Sequence, residues 1–258
     1  MSHHNLLNSP EEKEIYDKIK GKIITAQKRG AVCFTDFQNP YQLEIGAAII
    51  NSFDGICFFE YGGFENAERK IFVIYPEFVD PEDIEIPLKA IRIVSLSKTT
   101  VLEHKDVLGS ILGLGLRRDK IGDILIDGNS ADIVLYKETA EYISLFLDKI
   151  GKDTVSCQEI SFDLLNTLKQ KSKTINTTVA SLRADAVISS GLGESRSHAV
   201  RYIQSGKLKI NHKEIISPSY LVKEGDLISI RGKGRMILEK VEGITKKDRI
   251  KIVIKRII

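Results

Sequence analysis

The chain has 258 residues, 42% hydrophobic and 28% charged, which is ordinary for a soluble globular protein and long enough for two or three modest domains. No stretch approaches the ~20 apolar residues of a membrane span, the opening MSHHNLLNSPEEKEIY lacks the basic start and apolar core of a secretory signal, and Cys33, Cys57 and Cys157 are too few and too scattered for a disulfide framework or a metal pattern. These features predict no membrane partner, no cofactor, and a reducing cytoplasm.

The net charge of +3 conceals an asymmetry. Residues 181–258 carry 17 Lys and Arg against 8 Asp and Glu, whereas residues 1–180 carry 21 against 27. A basic terminal block on an acidic body points to a polyanion site at one end.

In chain order, Ser9-Pro10-Glu11-Glu12 is a helix start with a capping Ser, Pro at the first position and acids in the first turn. The helix turns Ile15, Ile19, Ile23 and Ala26 inward and stops at Gly30. NPYQLEIGAAIINS reads as a second helix, and GICFFEY and KIFVIYP as a strand pair. The stretch Pro76 to Pro87, rich in Pro and acids, is a connection.

LKAIRIVSL then reads as a strand and HKDVLGSILGLG as a helix, with Val107, Ile111 and Leu114 on one face. IGDILID and ADIVLYK are strands joined by a turn at Asp127-Gly128-Asn129. TAEYISLFLDKI is a helix closed by Gly151, and DTVSCQEISF a final strand. That order, βαββαβ, is the ferredoxin-like split unit. An RNA recognition motif of that order carries aromatics on its central strands; here they offer only Tyr136, so any RNA contact falls to loops such as RRDK, Arg117 to Lys120. GLGLRRDK lacks the Gly-Lys-Ser/Thr ending of a phosphate loop, and reads as a helix end turning into a basic loop. His104 and Asp106 are two residues apart and do not face each other on a helix, so they read as a helix start rather than a catalytic pair.

LNTLKQKSKTINTTVAS is a linker or an edge segment. Beyond it, LRADAVISSG is a short helix ending in Gly191 and ESRSHAVRYIQSG a second ending in Gly206. The short strands KLKIN, KEII, DLISIRG and RMILEKVEG follow. The alternation in RIKIVIKRII predicts a half-buried strand with a cationic wet face.

The chemistry gathers at the second of these helices. Ser195 is its expected cap. Arg196 sits in the first turn, where the helix dipole disfavours a cation; a bound phosphate reverses that penalty by using the free amides and the Arg fork together. Arg201 is expected to flank the same groove. Lys207 and Lys209 leave one face of the next strand, and Lys213, Arg231, Lys233 and Arg235 follow from nearby loops and strands. The glycines of RGKGR let the backbone approach a ligand among three cations.

SLRADAVISS, SRSHAVRYIQSGKLKIN and VKEGDLISIRGKGR together resemble the S-four domain, the RNA-binding domain named after the fourth small-subunit ribosomal protein, over about residues 181–236. The resemblance implies that Arg183, Ser195, Arg196, Arg201, Lys207, Lys209 and Asn211 line an RNA surface. The family has Asn-Gly at the hairpin where this chain has Asn211-His212. His tolerates a positive φ less well than Gly, so a longer or differently shaped turn is expected.

NAERKIFVIYPE and LEHKDVLGSILGLGLRRDKIGDILID are similar to the YlmH family of bacterial proteins, which place a ferredoxin-like domain before a C-terminal S-four domain. That resemblance implies an α+β chain with an N-terminal α/β domain (1–80), a central ferredoxin-like domain (81–170) and a C-terminal S-four-type RNA-binding domain (181–258). It further implies binding to RNA (rRNA and tRNA) on the large ribosomal subunit and a role in rescuing stalled translation; the chain is expected to be non-catalytic and, when free, monomeric. The alternatives are an RNA-modifying enzyme or its accessory subunit, of the pseudouridine synthase or methyltransferase kind, and a protein-interaction adaptor. The first of these needs a catalytic Asp motif or a cofactor glycine loop, and the sequence shows neither.

Overall fold

The computed structural model describes residues 10–97, 99–167 and 172–257. Its contacts divide the chain into two compact units, residues 1–167 and 168–258. The expected boundary near residue 80 lies inside the first of them. The cap expected at Ser9 lies outside the described residues.

In the first unit α1 (Pro10–Arg29) buries Ile15, Ile19, Ile23 and Ala26 on the stripe the sequence predicts. The short strand β1 (Cys33–Phe34) was not predicted. Next, α2 (Pro40–Ile50) opens in a capping box: Asn39 accepts from the Gln42 amide, and Gln42 accepts from the Asn39 amide. The strands β2 (Ile56–Tyr61) and β3 (Ile71–Pro76) pair antiparallel, giving a sheet ordered β1-β3-β2. Every residue of β3 is buried, because the sheet is covered on both faces. Phe72 and Ile74 meet the α1 and α2 side chains, while Ile71, Val73 and Tyr75 meet a second sheet through Leu88, Ala90 and Val134.

That second sheet follows the expected order: β4 (Leu88–Ser95), α3 (His104–Gly113), β5 (Ile121–Asp127), β6 (Ser130–Tyr136), α4 (Lys137–Phe146), then β7 (Lys149–Ile150) and β8 (Asp153–Ile160). The strand order is β5-β6-β4-β8-β7, the ferredoxin-like arrangement with one extra hairpin strand. The hairpin corrects the expectation for TAEYISLFLDKI. The helix stops at Phe146, Lys149 and Ile150 pair with Thr154 and Asp153, and Gly151 (φ 60°) makes the turn between them instead of capping the helix. The face that an RNA recognition motif would leave open is packed against β3 here. Tyr136 lies edge-on to Phe37 with centroids 5.8 Å apart, and its hydroxyl donates to the Thr35 carbonyl.

The second unit starts with β9 (Ser172–Val179), so part of the segment read as linker or edge is an edge strand; residues 168–171 lie outside the described residues. Two helices, α5 (Ala184–Leu192) and α6 (Arg196–Gln204), precede β10 (Leu208–Ile210), β11 (Lys213–Glu214), β12 (Leu227–Ile230), β13 (Gly234–Ile244) and β14 (Ile250–Ile257). These strands form one antiparallel sheet ordered β11-β10-β12-β13-β14-β9. Its inner face (Leu208, Ile210, Ile228, Ile230, Met236, Leu238, Ile252, Ile254) shares one core with Val187, Ile188, Ala199 and Ile203 of the helices.

Two turns differ from expectation. The first helix ends at Gly193 (φ 68°), not at Gly191. Gly191 is buried inside the helix, where a Cβ would stand 2.5 Å from the Met236 sulfur, so this glycine serves packing. The hairpin at Asn211-His212 keeps two residues, since Ile210 pairs with Lys213. Both turn residues take positive φ (48° and 66°), the geometry of a tight two-residue hairpin turn. The departure from Asn-Gly therefore leaves the turn its length.

Candidate nucleic-acid interface

The start of α6 is built as the sequence suggests. Ser195 holds extended dihedrals, and its Oγ accepts from the His198 amide at 3.3 Å. The first-turn amides that the cap does not take have no intrahelical partner, as at other helix starts.

Beside it stands an acid whose role the sequence did not disclose. Asp185, in the first turn of α5, is only 4% exposed. Its carboxylate accepts from Arg196 Nη2 at 2.7 Å and from Arg183 Nε and Nη2, both at 3.2 Å. Burial alone would raise the Asp185 carboxyl, but the two guanidiniums outweigh it and hold the group below the usual carboxylate range. One buried anion thus gathers two arginines, one at the N-cap of α5 and one in the first turn of α6, and orients them. Both remain partly exposed, at 39% and 55% of the side chain, so each keeps donors for a second anion.

A second acid organises the other side of the helix start. Glu194 accepts from Lys233 Nζ at 2.7 Å and from the Tyr202 hydroxyl at 2.8 Å, and His198 Nδ1 lies 3.5 Å away. The Lys233 ammonium also sits 5.3 Å from the Tyr202 ring centroid. The Lys233 hydrogen bond, followed by that of Tyr202, holds the Glu194 carboxyl down, and the same contact raises the Lys233 ammonium. Lys233 is therefore a strut that pins the RGKG turn against α6.

The remaining candidates separate. Arg201 is exposed and five residues past Arg196, about 140° around the helix, so it does not join Arg196 at Asp185. Lys207, Lys209, Lys213 and Arg231 are exposed and Arg235 is half-buried. Leu208 and Ile210 point into the core under the helices, so Lys209 between them points to the opposite face of the sheet. Lys207 has the same parity. The structure therefore joins Arg183 and Arg196, ties Lys233 beside them, and sends Lys209 and Arg235 to the other face. Asn211 is committed to the fold: its amide nitrogen donates to Asp226 at 2.8 Å and its oxygen accepts from the Leu227 amide at 2.9 Å.

In the first unit the basic loop 117–120 is engaged internally. Arg117 pairs with Asp119, Arg118 donates to the carbonyls of Ile121 and Gly122, and Lys120 reaches Asp36 at 2.5 Å. The NAERK segment is a latch. The Arg69 guanidinium donates to the carbonyls of Ile121 (2.9 Å), Phe37 (3.0 Å) and Arg118 (3.3 Å), while Asp123 accepts the amides of Glu68 and Arg69. Burial pushes the Asp123 carboxyl up and the Arg69 guanidinium down. His104 and Asp106 open α3, as a helix start should. Among the described residues no His, Cys, Asp and Glu cluster suits a metal ion, and no helix is long and apolar enough to cross a membrane.

A compact α+β body followed by two short helices on a basic antiparallel sheet defines a modular protein with a C-terminal S4-type unit. Residues 182–228 match the S4 domain model, and residues 80–163 match the model described as "Putative RNA-binding domain in YlmH". Over 89% of its length the chain is 35% identical to the Ribosome-associated protein quality control protein P2 of Bacillus subtilis (strain 168), of which it covers 89%. Its structure is similar to that of the Cell division protein ylmH from Streptococcus pneumoniae, with a TM-score of 0.54 and 26% identity over 63% of this chain and 97% of that one. The chain belongs to the YlmH family.

Proposed function

We propose that this chain is a non-catalytic RNA-binding factor that acts on the ribosome. In this reading it contacts large-subunit rRNA and tRNA and serves the rescue or quality control of stalled translation. The observation that carries the reading is the Arg183–Asp185–Arg196 cluster beside the Ser195-capped helix start. Two preoriented guanidinium forks and a set of free amides suit a phosphate oxygen. The name of the Bacillus relative supports the ribosomal setting, and the +9 balance of residues 181–258 supports a polyanion as the partner.

The test is co-sedimentation with purified ribosomal subunits through a salt series. Binding should fall steeply with salt, and Arg183→Ala and Arg196→Ala should each lower the log–log salt slope by about 1. A protein that stays off both subunits at low salt overturns the reading, as does an unchanged slope in the double variant. Methyl transfer to rRNA, or uridine isomerisation in it, by the purified protein would overturn the non-catalytic part.

A further inference from the structure

The sheet of the second unit has two faces, and the helices cover only one. Register and parity define what the other displays. On β14, Ile252 and Ile254 are buried, so Lys251, Val253 and Lys255 point outward. Lys240 pairs across from Val253, Ile237 from Lys255, and Arg235 from Ile257, placing all three on the same outer face. Lys209 joins the row through Ser229, which pairs with both Lys209 and Arg235. On the far edge Thr174, Asn176 and Thr178 of β9 stand opposite Lys255, Val253 and Lys251.

From these pairings we infer that the outer face of β10-β12-β13-β14-β9 is a second RNA-backbone surface, separate from the helix-side cluster. Lys251, Lys240, Lys255, Arg235 and Lys209 run as a diagonal band across the sheet. Strand geometry puts neighbours along it roughly 8–10 Å apart. Lys209, Lys240, Lys251 and Lys255 form no ion pair among the described residues. Lys209 faces Glu214 of β11, whereas Lys240, Lys251 and Lys255 contrast with the cations of loop 117–120, which the fold neutralises. Half-buried Leu227, Ile237 and Val253 lie between the cations, and the hydroxyls and amide of β9 border them. Among the described residues the face presents no aromatic ring, which favours backbone contact over base stacking. A nucleic-acid strand is favoured over an acidic protein because the band follows a line and carries polar donors at its edge. The inference rests on the RNA-binding reading but uses a different face and different residues.

Fluorescence anisotropy of the full chain on a labelled tRNA transcript, across a salt series, tests it. The triple variant Lys240→Gln/Lys251→Gln/Lys255→Gln changes only outward side chains, and circular dichroism checks its fold. Loss of the three contacts should lower the salt slope by about 2 to 3 and weaken binding about 10-fold or more near 0.1 M salt. An unchanged slope and affinity overturns the inference; if Arg196→Ala still weakens binding in that case, the helix-side reading survives. Loss in the triple variant with none in Arg196→Ala supports this face and overturns the helix-side one. If polyglutamate displaces the tRNA from the native chain as well as unlabelled tRNA does, the face is a general acidic-partner surface and the inference fails.

Discussion

Asp185 decides the state of the helix-side cations. Without its carboxylate, Arg183 and Arg196 would be two like charges brought together by the packing of α5 on α6, and each would swing into solvent. The Asp185→Asn variant removes the anion and keeps the shape. It should destabilise the second unit by about 1.5 kcal/mol, the low end for hydrogen bonds to charged groups, because both guanidiniums are already partly hydrated. Its folded-state carboxyl lies below the ordinary value, so its contribution is complete above about pH 4 and is lost as pH falls through the depressed folded value. Amide exchange of α5 and α6 should therefore separate native and variant chains at pH 7, and the gap should be smaller at pH 3. A gap of equal size at both pH values would mean that the carboxylate's charge is not the source. The variant should also weaken tRNA binding more than its modest loss of stability accounts for, since the arginines lose their preset direction.

At the scale of elements, the second unit depends on how closely α5 approaches the sheet. Gly191 sits where a Cβ would meet the Met236 sulfur at 2.5 Å and the Ile254 Cδ1 at 3.3 Å. In an exposed helix, Gly→Ala gains about 1 kcal/mol. Here Gly191→Ala should instead lose up to about 2 kcal/mol net, since overpacking a closed core costs about 1–3 kcal/mol. Thermal melts of Gly191→Ala with and without Met236→Val check this. The cost should shrink when Met236 is shortened, and simple additivity would place the strain elsewhere. This position also marks the limit of reading elements from sequence. The apolar spacing of Ile15, Ile19 and Ile23 and the alternation in RIKIVIKRII were legible because one-dimensional periodicity encodes which face is buried. With two glycines two residues apart, Gly191 and Gly193, local signals fit either as the helix stop, and only the approach of β13 decides between them. The same holds at the candidate site. Ser195 and Arg196 could be read from helix-start chemistry, whereas the convergence of Arg183 and Arg196 on Asp185 depends on how two helices pack. The division of Lys209 from Arg196 required the sheet register, and the fold-bound role of Asn211 required a partner 15 residues away.

At the scale of the molecule, the basic unit includes more chain than its motif. The S4 match covers residues 182–228, yet the sheet on which those helices rest continues through β13 and β14 to β9, which precedes the helices in sequence. Along its length β14 pairs with β9, from Ile250↔Val179 to Ile257↔Ser172. Val179 is 2% exposed and belongs to the common core. A fragment that begins at residue 181 therefore loses a buried Val, about 1.5–3 kcal/mol by burial alone, and bares an eight-residue strand edge. Bare edges of alternating apolar residues pair with other chains. A fragment spanning 168–258 should melt as one cooperative, monomeric unit and keep the salt-dependent tRNA binding of the whole chain. The fragment 181–258 should melt lower and associate as its concentration rises, which sedimentation velocity would record. Equal melting points and monomeric behaviour in both would mean that β9 is an accessory strand. In that case the outer face proposed for RNA would end at β14, and Thr174, Asn176 and Thr178 would drop out of it while the lysines remained.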